Sequence, residues 1–500
     1  MGVTGSLTDR TWRLLVAGDL RPAADGATTP TTSPSTGAHL ADAPAATPAD
    51  VDVAVRAAEA ASREWRTLAP VERAATLRAL AVLVRKHRGE LAELDAHDCG
   101  NPVTAMAGDV DQAAELLERT ADWAAALDGT APRGDADHLH YTVREPFGVV
   151  ARIVPYNHPV MFAISKLAAP LLAGNGVVLK APDQAPLSTL RLGELLAEAD
   201  LVPRGLVSLL SGAGAVVGPA MIAHPLVRRI AFTGSVATGQ SVLQTAAGAG
   251  IKSVSLELGG KNPMIVLPDA DAAAAAAGAV TGMNFHWTGG QSCGSTSRLL
   301  VHRSLVDEVV ERVVAGAAAV RLGDPLDPAT EMGTMVTAAH RDRVLGFVNR
   351  ALTDGAKLAT GGGAPERTGA YIQPTVCTGV DPGSELATTE VFGPVLAVIA
   401  YDHLDDAIAI ANATPYGLTA SIWTRDLSTA HRTVGALEAG YVWVNTVSRH
   451  FAGMPFGGVK DSGLGREESV EELHSFTQTK AVTVRLDPRT PPQSSRDPAS

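Results

Sequence analysis

Cysteine is scarce in this chain: Cys99, Cys293 and Cys377 are the only three among 500 residues. They form no C-x-x-C pair and lie far apart, which excludes a disulfide framework and fits a reducing cytoplasm. No apolar run reaches the ~18–20 residues that a membrane helix needs, and the first residues lack the basic-then-apolar profile of a secretory signal. No run of lysine and arginine appears, and the net charge is −12, so nucleic acid finds no electrostatic attraction here. The G-x-G-x-x-G dinucleotide fingerprint is missing, no internal repeat is visible, and no metal is expected. Aromatic residues make up only 4% of the chain, so a cluster of them carries information.

What remains is an ordinary globular composition, 46% hydrophobic and 19% charged, long enough for two or three domains. The first 50 residues are rich in Ala, Thr, Pro and Gly, with a short strand at 12–16, and predict an ordered, loop-rich wrap. Helical signals dominate from 49 to about 98, where Asp50 and Asp52 can cap and Leu77, Leu80, Ala81 and Val84 recur at helical spacing. C-G-N-P at 99–102 breaks that pattern, and 104–126 fits another helix. Residues 138–144 alternate like an exposed strand. Short β-branched runs follow at 149–154, 177–179, 206–210, 229–232 and 254–256, with helical stretches such as 161–172 and 188–199 between them. That alternation predicts a parallel, doubly wound α/β sheet. A second alternating series from 263 to about 445 predicts a second α/β domain, and the tail after Leu486 is expected to be disordered.

The chemistry centres on Cys293, in G-G-Q-S-C-G-S-T-S-R. A structural cysteine is normally walled in by apolar side chains, whereas a nucleophilic one needs exposure and help ionising. Upstream, in L-E-L-G-G-K-N-P, Glu257 ends an apolar strand-like run before two glycines and can offer that help. F-T-G-S-V-A-T-G at 232–239 places Gly234, Ser235 and Gly239 at a strand-to-helix junction, where a diphosphate can be approached; an ordinary tight turn reads the same way. Lys180 and Asp183 end another strand, at a carboxyl edge where nucleotides bind in open α/β folds. In P-Y-N-H-P, prolines on both sides hold Asn157 in one orientation, suited to donating to a developing oxyanion. Two late glycine/aromatic loops, E-V-F-G-P from 390 and P-F-G-G-V-K-D-S-G from 455, are of the kind that line clefts.

With these motifs in this order, the chain resembles the aldehyde dehydrogenase superfamily from about Trp12 to Val484. The resemblance implies Cys293 as nucleophile, Glu257 as hydrolytic base, Asn157 with the Cys293 backbone N–H as oxyanion donors, and Lys166 and Glu467 in a proton relay. It implies a cofactor held by Lys180, Asp183, Gly234, Ser235, Gly239, Glu390, Phe392 and Pro155. It implies a fold of two doubly wound α/β domains plus a small β extension. The expected boundaries are 1–135 with 149–257 for the dinucleotide-binding domain and 258–450 for the catalytic domain. Residues 136–148 and 480–486 are expected as oligomerisation strands, 451–479 as a return to the active-site loop, and 487–500 as a tail. Asp183 replaces the family's usual glutamate; it can accept from a ribose diol and repel a 2′-phosphate, which favours NAD over NADP.

The expected reaction is oxidation of an aldehyde to a carboxylate through a cysteine thiohemiacetal and thioester. The expected pocket comprises Tyr156, His158, Phe162, His286, Trp287, Ser292, Arg449, His450 and Phe451, whose rings suggest an aromatic or medium-chain aldehyde. Arg449 leaves open a semialdehyde substrate, and transfer of the acyl group to CoA is a further alternative that Glu257 argues against. The expected partners are a small-molecule aldehyde and further copies of the chain, as a cytoplasmic homodimer or homotetramer.

Overall fold

Strands from this sequence are short, β-branched and buried on both faces, the signature of parallel strands covered by helices. A computed structural model describes residues 7–451 and 453–486; the tail 487–500 lies outside the described residues. Five strands, Ser253–Glu257, Val227–Thr233, Val149–Ile153, Gly176–Lys180 and Val207–Leu210, lie side by side in that order and run parallel. Gly463–Leu464 closes one edge antiparallel, and Leu14–Val16 with Asp19–Arg21 closes the other. The chain enters at Val149–Ile153, winds outward through Gly176–Lys180 and Val207–Leu210, then crosses to the opposite side at Val227–Thr233. This reversal opens a crevice at the carboxyl ends of Val149–Ile153 and Val227–Thr233.

The second series forms a seven-stranded sheet ordered Lys357–Thr360, Thr375–Thr378, Val395–Tyr401, Arg298–His302, Pro263–Val266, Thr419–Trp423 and Tyr441–Val444. All its neighbours are parallel except the first pair. The two sheets join directly, since Ser253–Glu257 of the first leads through a short loop into Pro263–Val266 inside the second.

The helical stretch expected at 49–98 is three helices, Pro48–Trp65, Pro70–Lys86 and Arg88–Cys99. Pro70 starts the second at the position where its missing N–H costs nothing, and left-handed Gly100 ends the third. A capping box of Thr47 and Asp50 opens the first. Two buried carboxylates on Arg88–Cys99 cap other helices at a distance. Asp95 accepts from Val160 N at 2.9 Å and Asp98 from Leu187 N at 2.9 Å, at the starts of Pro159–Leu172 and Leu187–Ala199. The helix expected at 104–126 is Val103–Asp122, followed by a short 3-10 turn. The first 50 residues are an ordered wrap, with a hairpin of Thr28–Thr32 and His39–Pro44 beyond the sheet-edge strands.

His138–Pro146 pairs antiparallel with Thr477–Arg485 as a ribbon apart from both sheets. Its second strand starts at Thr477, not at 480 as expected, because the helix Val470–Ser475 ends on buried Phe476 and feeds straight into it. Among the described residues no helix is long and apolar enough to cross a membrane.

Gly176 shows how tightly the first sheet is covered. A Cβ there would lie 2.4 Å from the carbonyl oxygen of Ala58, on the helix Pro48–Trp65. Gly176→Ala is expected to cost about 1–3 kcal/mol of stability, the usual range for overpacking, seen as a lower denaturant midpoint. An unchanged midpoint would mean that helix and strand do not touch so closely.

Candidate active site

Three loops meet at the junction of the sheets, and glycines let their backbones touch. A Cβ on Gly290 would lie 2.5 Å from Gly393 O, and one on Gly260 would lie 2.9 Å from Cys293 O. Gly290 also has φ of +74°, which favours glycine. Buried Asn262 then ties the cysteine turn down: its Nδ2 donates to Cys293 O at 2.7 Å and to Ser295 O at 2.8 Å, while Thr419 N donates to its Oδ1 at 3.1 Å. Gln291 adds a brace, accepting from Val336 N at 3.0 Å and donating to Thr288 O at 3.0 Å. Both amides stand inside the quoted motifs, yet neither was singled out from sequence, because a buried amide signals nothing until its partners are known.

Glu257 ends its strand deep in the molecule with neither carboxylate oxygen hydrogen-bonded. Burial pushes its pKa well above the usual carboxylate range; the charge of Glu467 adds to the rise and Lys166 opposes it. Glu467 is the ionised partner of two buried cations, Lys166 at 2.5 Å and Arg152 at 3.1 Å, and these hold its own pKa down against burial. Arg152 also binds Glu472 at 2.7 Å. It is a second residue that sequence reasoning passed over, since an arginine within an apolar strand gives no hint of its partner.

Cys293, Glu257, Asn157, Lys166 and Glu467 all line one cavity of about 950 Å³. Asn157 is buried with its amide oxygen unpartnered, and its own backbone carbonyl accepts from Asn101 Nδ2 at 2.9 Å. Of the expected pocket residues, His158, Phe162, Trp287, Ser292, Arg449 and His450 line the same cavity, joined by Met161, Thr233, Phe456 and Glu468. Tyr156, His286 and Phe451 do not. The Tyr156 ring turns edge-on to Phe392 and His340, at 5.9 and 6.4 Å. His286 is exposed because the single helical turn Phe285–Thr288 buries its first and last residues and points the second outward. Phe451 is 46% exposed and lies beneath the Arg449 guanidinium at 5.2 Å.

The sequence profile of the Aldehyde dehydrogenase family matches residues 21–482. Aldehyde dehydrogenase tropH of Talaromyces stipitatus is 45% identical over 467 residues, covering 91% of this chain and 90% of its own. The solved structure of PnpE, from Pseudomonas sp. WBC-3, in complex with nicotinamide adenine dinucleotide superposes with a TM-score of 0.93 at 39% identity, over 97% of this chain and 99% of its own. Indole-3-acetaldehyde dehydrogenase AldA of P. syringae, solved as a mutant with NAD+ and IAA, gives 0.93 at 38% identity, over 95% and 97%.

The chain belongs to the aldehyde dehydrogenase family. It is therefore an NAD(P)+-dependent aldehyde dehydrogenase, and its first sheet can be tested for a place to hold that cofactor. The crevice at the strand reversal is edged by Pro155 on one side and Gly234 and Ser235 on the other. Ser235 caps the helix Val236–Gly248, whose N-terminus is open to an anion. Lys180 pairs with Asp183, whose other oxygen accepts from Gly214 N at 2.8 Å. Glu390 accepts from Gly260 N at 2.9 Å, and burial raises its carboxyl to about 7. These groups fit a dinucleotide. Gly239 is buried against Leu258, where a Cβ would clash at 2.8 Å, so its missing side chain serves helix–sheet packing. Phe392 packs on Tyr156 with φ of +56°, a strained backbone for a non-glycine residue.

The thiol itself departs from the expected help with ionisation. Burial, with Glu390 and Glu257 nearby, pushes Cys293 up to about 12. Glu257 can assist only by accepting its proton, because a second negative charge beside a thiolate is repulsive. An acid with a raised pKa stays neutral until pH climbs toward that value. Alkylation of Cys293 by iodoacetamide in the cofactor-free protein should therefore accelerate about tenfold per pH unit through neutrality, followed by mass spectrometry. Cys99 and Cys377 are fully buried and should react later. A rate that levels off below about pH 8 would show a stabilised thiolate.

Proposed function

We propose that this enzyme oxidises an aromatic or medium-chain aldehyde to its carboxylate with NAD+ as the preferred cofactor, through a covalent intermediate on Cys293. The observation that carries this reading is the convergence of Cys293, Glu257 and Asn157 on one cavity walled by Phe162, Trp287 and His158. The Cys293 sulfur, its proton passed to Glu257, adds to the aldehyde carbon and forms a thiohemiacetal. The amide of Asn157 and the Cys293 backbone N–H stabilise the resulting oxyanion. Oxidised nicotinamide, when bound, supplies the acceptor for the hydride that leaves this carbon. Once Glu257 has passed the thiol's proton to the Lys166–Glu467 pair it takes a proton from water, the hydroxide attacks the thioester carbonyl, and the Cys293 thiolate departs from the carboxylic acid. Lys166 and Glu467, paired beside Glu257, carry the proton onward.

Lys180 and Asp183 would hold the adenosine ribose, Ser235 and Gly234 the diphosphate, and Glu390 the nicotinamide ribose, with Pro155 and Phe392 flanking them. Two or four copies would associate through the ribbon of His138–Pro146 and Thr477–Arg485, which exposes Leu139, Tyr141 and Val484 and would be marginal as an isolated two-stranded sheet. Three separated free cysteines support a cytoplasmic enzyme.

A second reading concerns the far end of the substrate. Arg449 lines the cavity and, among the described residues, pairs with no carboxylate, whereas the cavity-lining Arg85, Arg119 and Lys166 all do. It can therefore meet an ω-carboxylate and make this a semialdehyde dehydrogenase.

Glu257 serves both steps, but the thiol can also lose its proton to solvent as pH rises, whereas hydrolysis depends on an activated water, so the two can be separated. Glu257→Gln should release roughly one NADH per active site and then stall, as the thioester persists. Stopped-flow traces will show this; unbroken wild-type turnover would assign the hydrolytic base elsewhere.

Benzaldehyde, hexanal and succinate semialdehyde, each assayed with NAD and NADP, test both ends of the site. We expect kcat/KM to fall with NADP, because Asp183 meets a 2′-phosphate with like charge. Benzaldehyde and hexanal should lead succinate semialdehyde by about 10-fold or more. NADP equal to NAD would refute the first expectation. A lead for succinate semialdehyde that Arg449→Ala abolishes would establish the second reading.

A further inference from the structure

One wall of the cavity carries a hydrogen-bonded triad that none of the steps above uses. Asp109, fully buried on the helix Val103–Asp122, receives two bonds of 2.7 Å: Trp287 Nε1 donates to its Oδ1, and His158 Nδ1 bonds its Oδ2. The His158 ring stands edge-on to Trp287 at 4.9 Å and to Phe162 at 5.7 Å, so packing fixes its plane. Its other nitrogen, Nε2, has no hydrogen-bond partner among the described residues and is not sealed from solvent, while the side chain lines the cavity.

We propose that Asp109 and Trp287 lock His158 in the tautomer whose Nε2 accepts a hydrogen bond, making His158 a specificity-determining residue for aldehydes that carry a hydroxyl or N–H donor. A carboxylate can only accept, so His158 Nδ1 must donate to it and carries the proton of the neutral ring. Nε2 is then a bare acceptor set among apolar rings. A substrate donor satisfies it, while an apolar group of the same shape strips its water and returns nothing. The triad thereby narrows the class of aromatic aldehyde, and in this respect it rests on the substrate reading above.

Trp287 makes the idea sharply testable, because its indole N–H can only donate. In Asp109→Asn the amide oxygen must face Trp287, and the amide NH2 must face His158 Nδ1. Nδ1 then has to accept, the proton moves to Nε2, and the group facing the substrate becomes a donor.

The experiment compares kcat/KM for 2-, 3- and 4-hydroxybenzaldehyde with their methyl and methoxy counterparts in wild type, His158→Phe and Asp109→Asn. Each ratio is taken within one enzyme, so a general loss of activity cancels. Wild type should favour the hydroxyl compound by about 3–10-fold over its methyl counterpart at one ring position at least. His158→Phe should bring that ratio to about one, and Asp109→Asn should raise the methoxy compound toward the hydroxyl one, because a donating Nε2 is met by either oxygen. Nitrogen-15 spectra of histidine-labelled wild type, with His158 assigned by its loss in His158→Phe, should show Nδ1 protonated and Nε2 bare. A proton on Nε2, or no hydroxyl preference at any ring position, overturns the proposal while aldehyde oxidation stands. Failure of every benzaldehyde would overturn the aromatic substrate reading instead, and the nitrogen-15 spectrum still decides the tautomer.

Discussion

Backbone-to-backbone contact at the junction of the two sheets is the constraint on which the rest depends. The loop after Glu257, the turn around Cys293 and the loop after Glu390 come closer than any side chain permits, as the short Cβ distances to backbone at Gly260 and Gly290 show. A fourth segment joins them at Gly457, where a Cβ would lie 2.7 Å from Glu257 Oε1. Ser462, in the same segment, donates to Gly259 O at 2.7 Å and accepts from Gly417 N at 2.9 Å. With the loops held this way, Asn262 can reach both Cys293 O and Ser295 O, and a thiol and a carboxylate from different sheets share one cavity.

That cavity combines an uncompensated charge site with a compensated one. Glu257 has no hydrogen-bond donor, so burial raises its pKa, and its carboxylate, once ionised, is a stronger base than an ordinary one. Glu467, nearby, is equally buried but sits between Lys166 and Arg152 and stays ionised. Two carboxyls of one chemical type thus have pKa values pushed in opposite directions because one has cationic partners and the other has not. The outer rim carries many charges too, but Arg85–Glu118, Arg88–Asp111 and Arg119–Glu115 neutralise one another. Arg449 therefore stands out there.

Local pattern was enough to read the alternating elements, the doubly wound class and the strand-end motifs, because burial on both faces and turn chemistry are written within a few residues. The strand at 149–153, the helix at 159–172 and the places of Cys293 and Glu257 follow from such short-range rules. Where three helices replaced one stretch, Pro70 supplied a break that periodicity alone had blurred. Gly239 shows the reach of such rules: a glycine at a strand-to-helix turn serves phosphate approach or close packing equally well, and its packing on Leu258 is visible only in the fold.

The sequence by itself determined the architecture, the family and the motifs that carry Cys293 and Glu257, since each rests on residues close together in the chain. Tertiary structure alone decided which side chains line the cavity. His158 and Trp287 are joined through Asp109, which is 49 positions from one and 178 from the other, and no spacing rule links residues so far apart. The outward turn of His286, the withdrawal of Tyr156 onto Phe392 and the pairing of Arg152 with Glu467 across 315 positions have the same origin. Each depends on what lies opposite in the folded molecule.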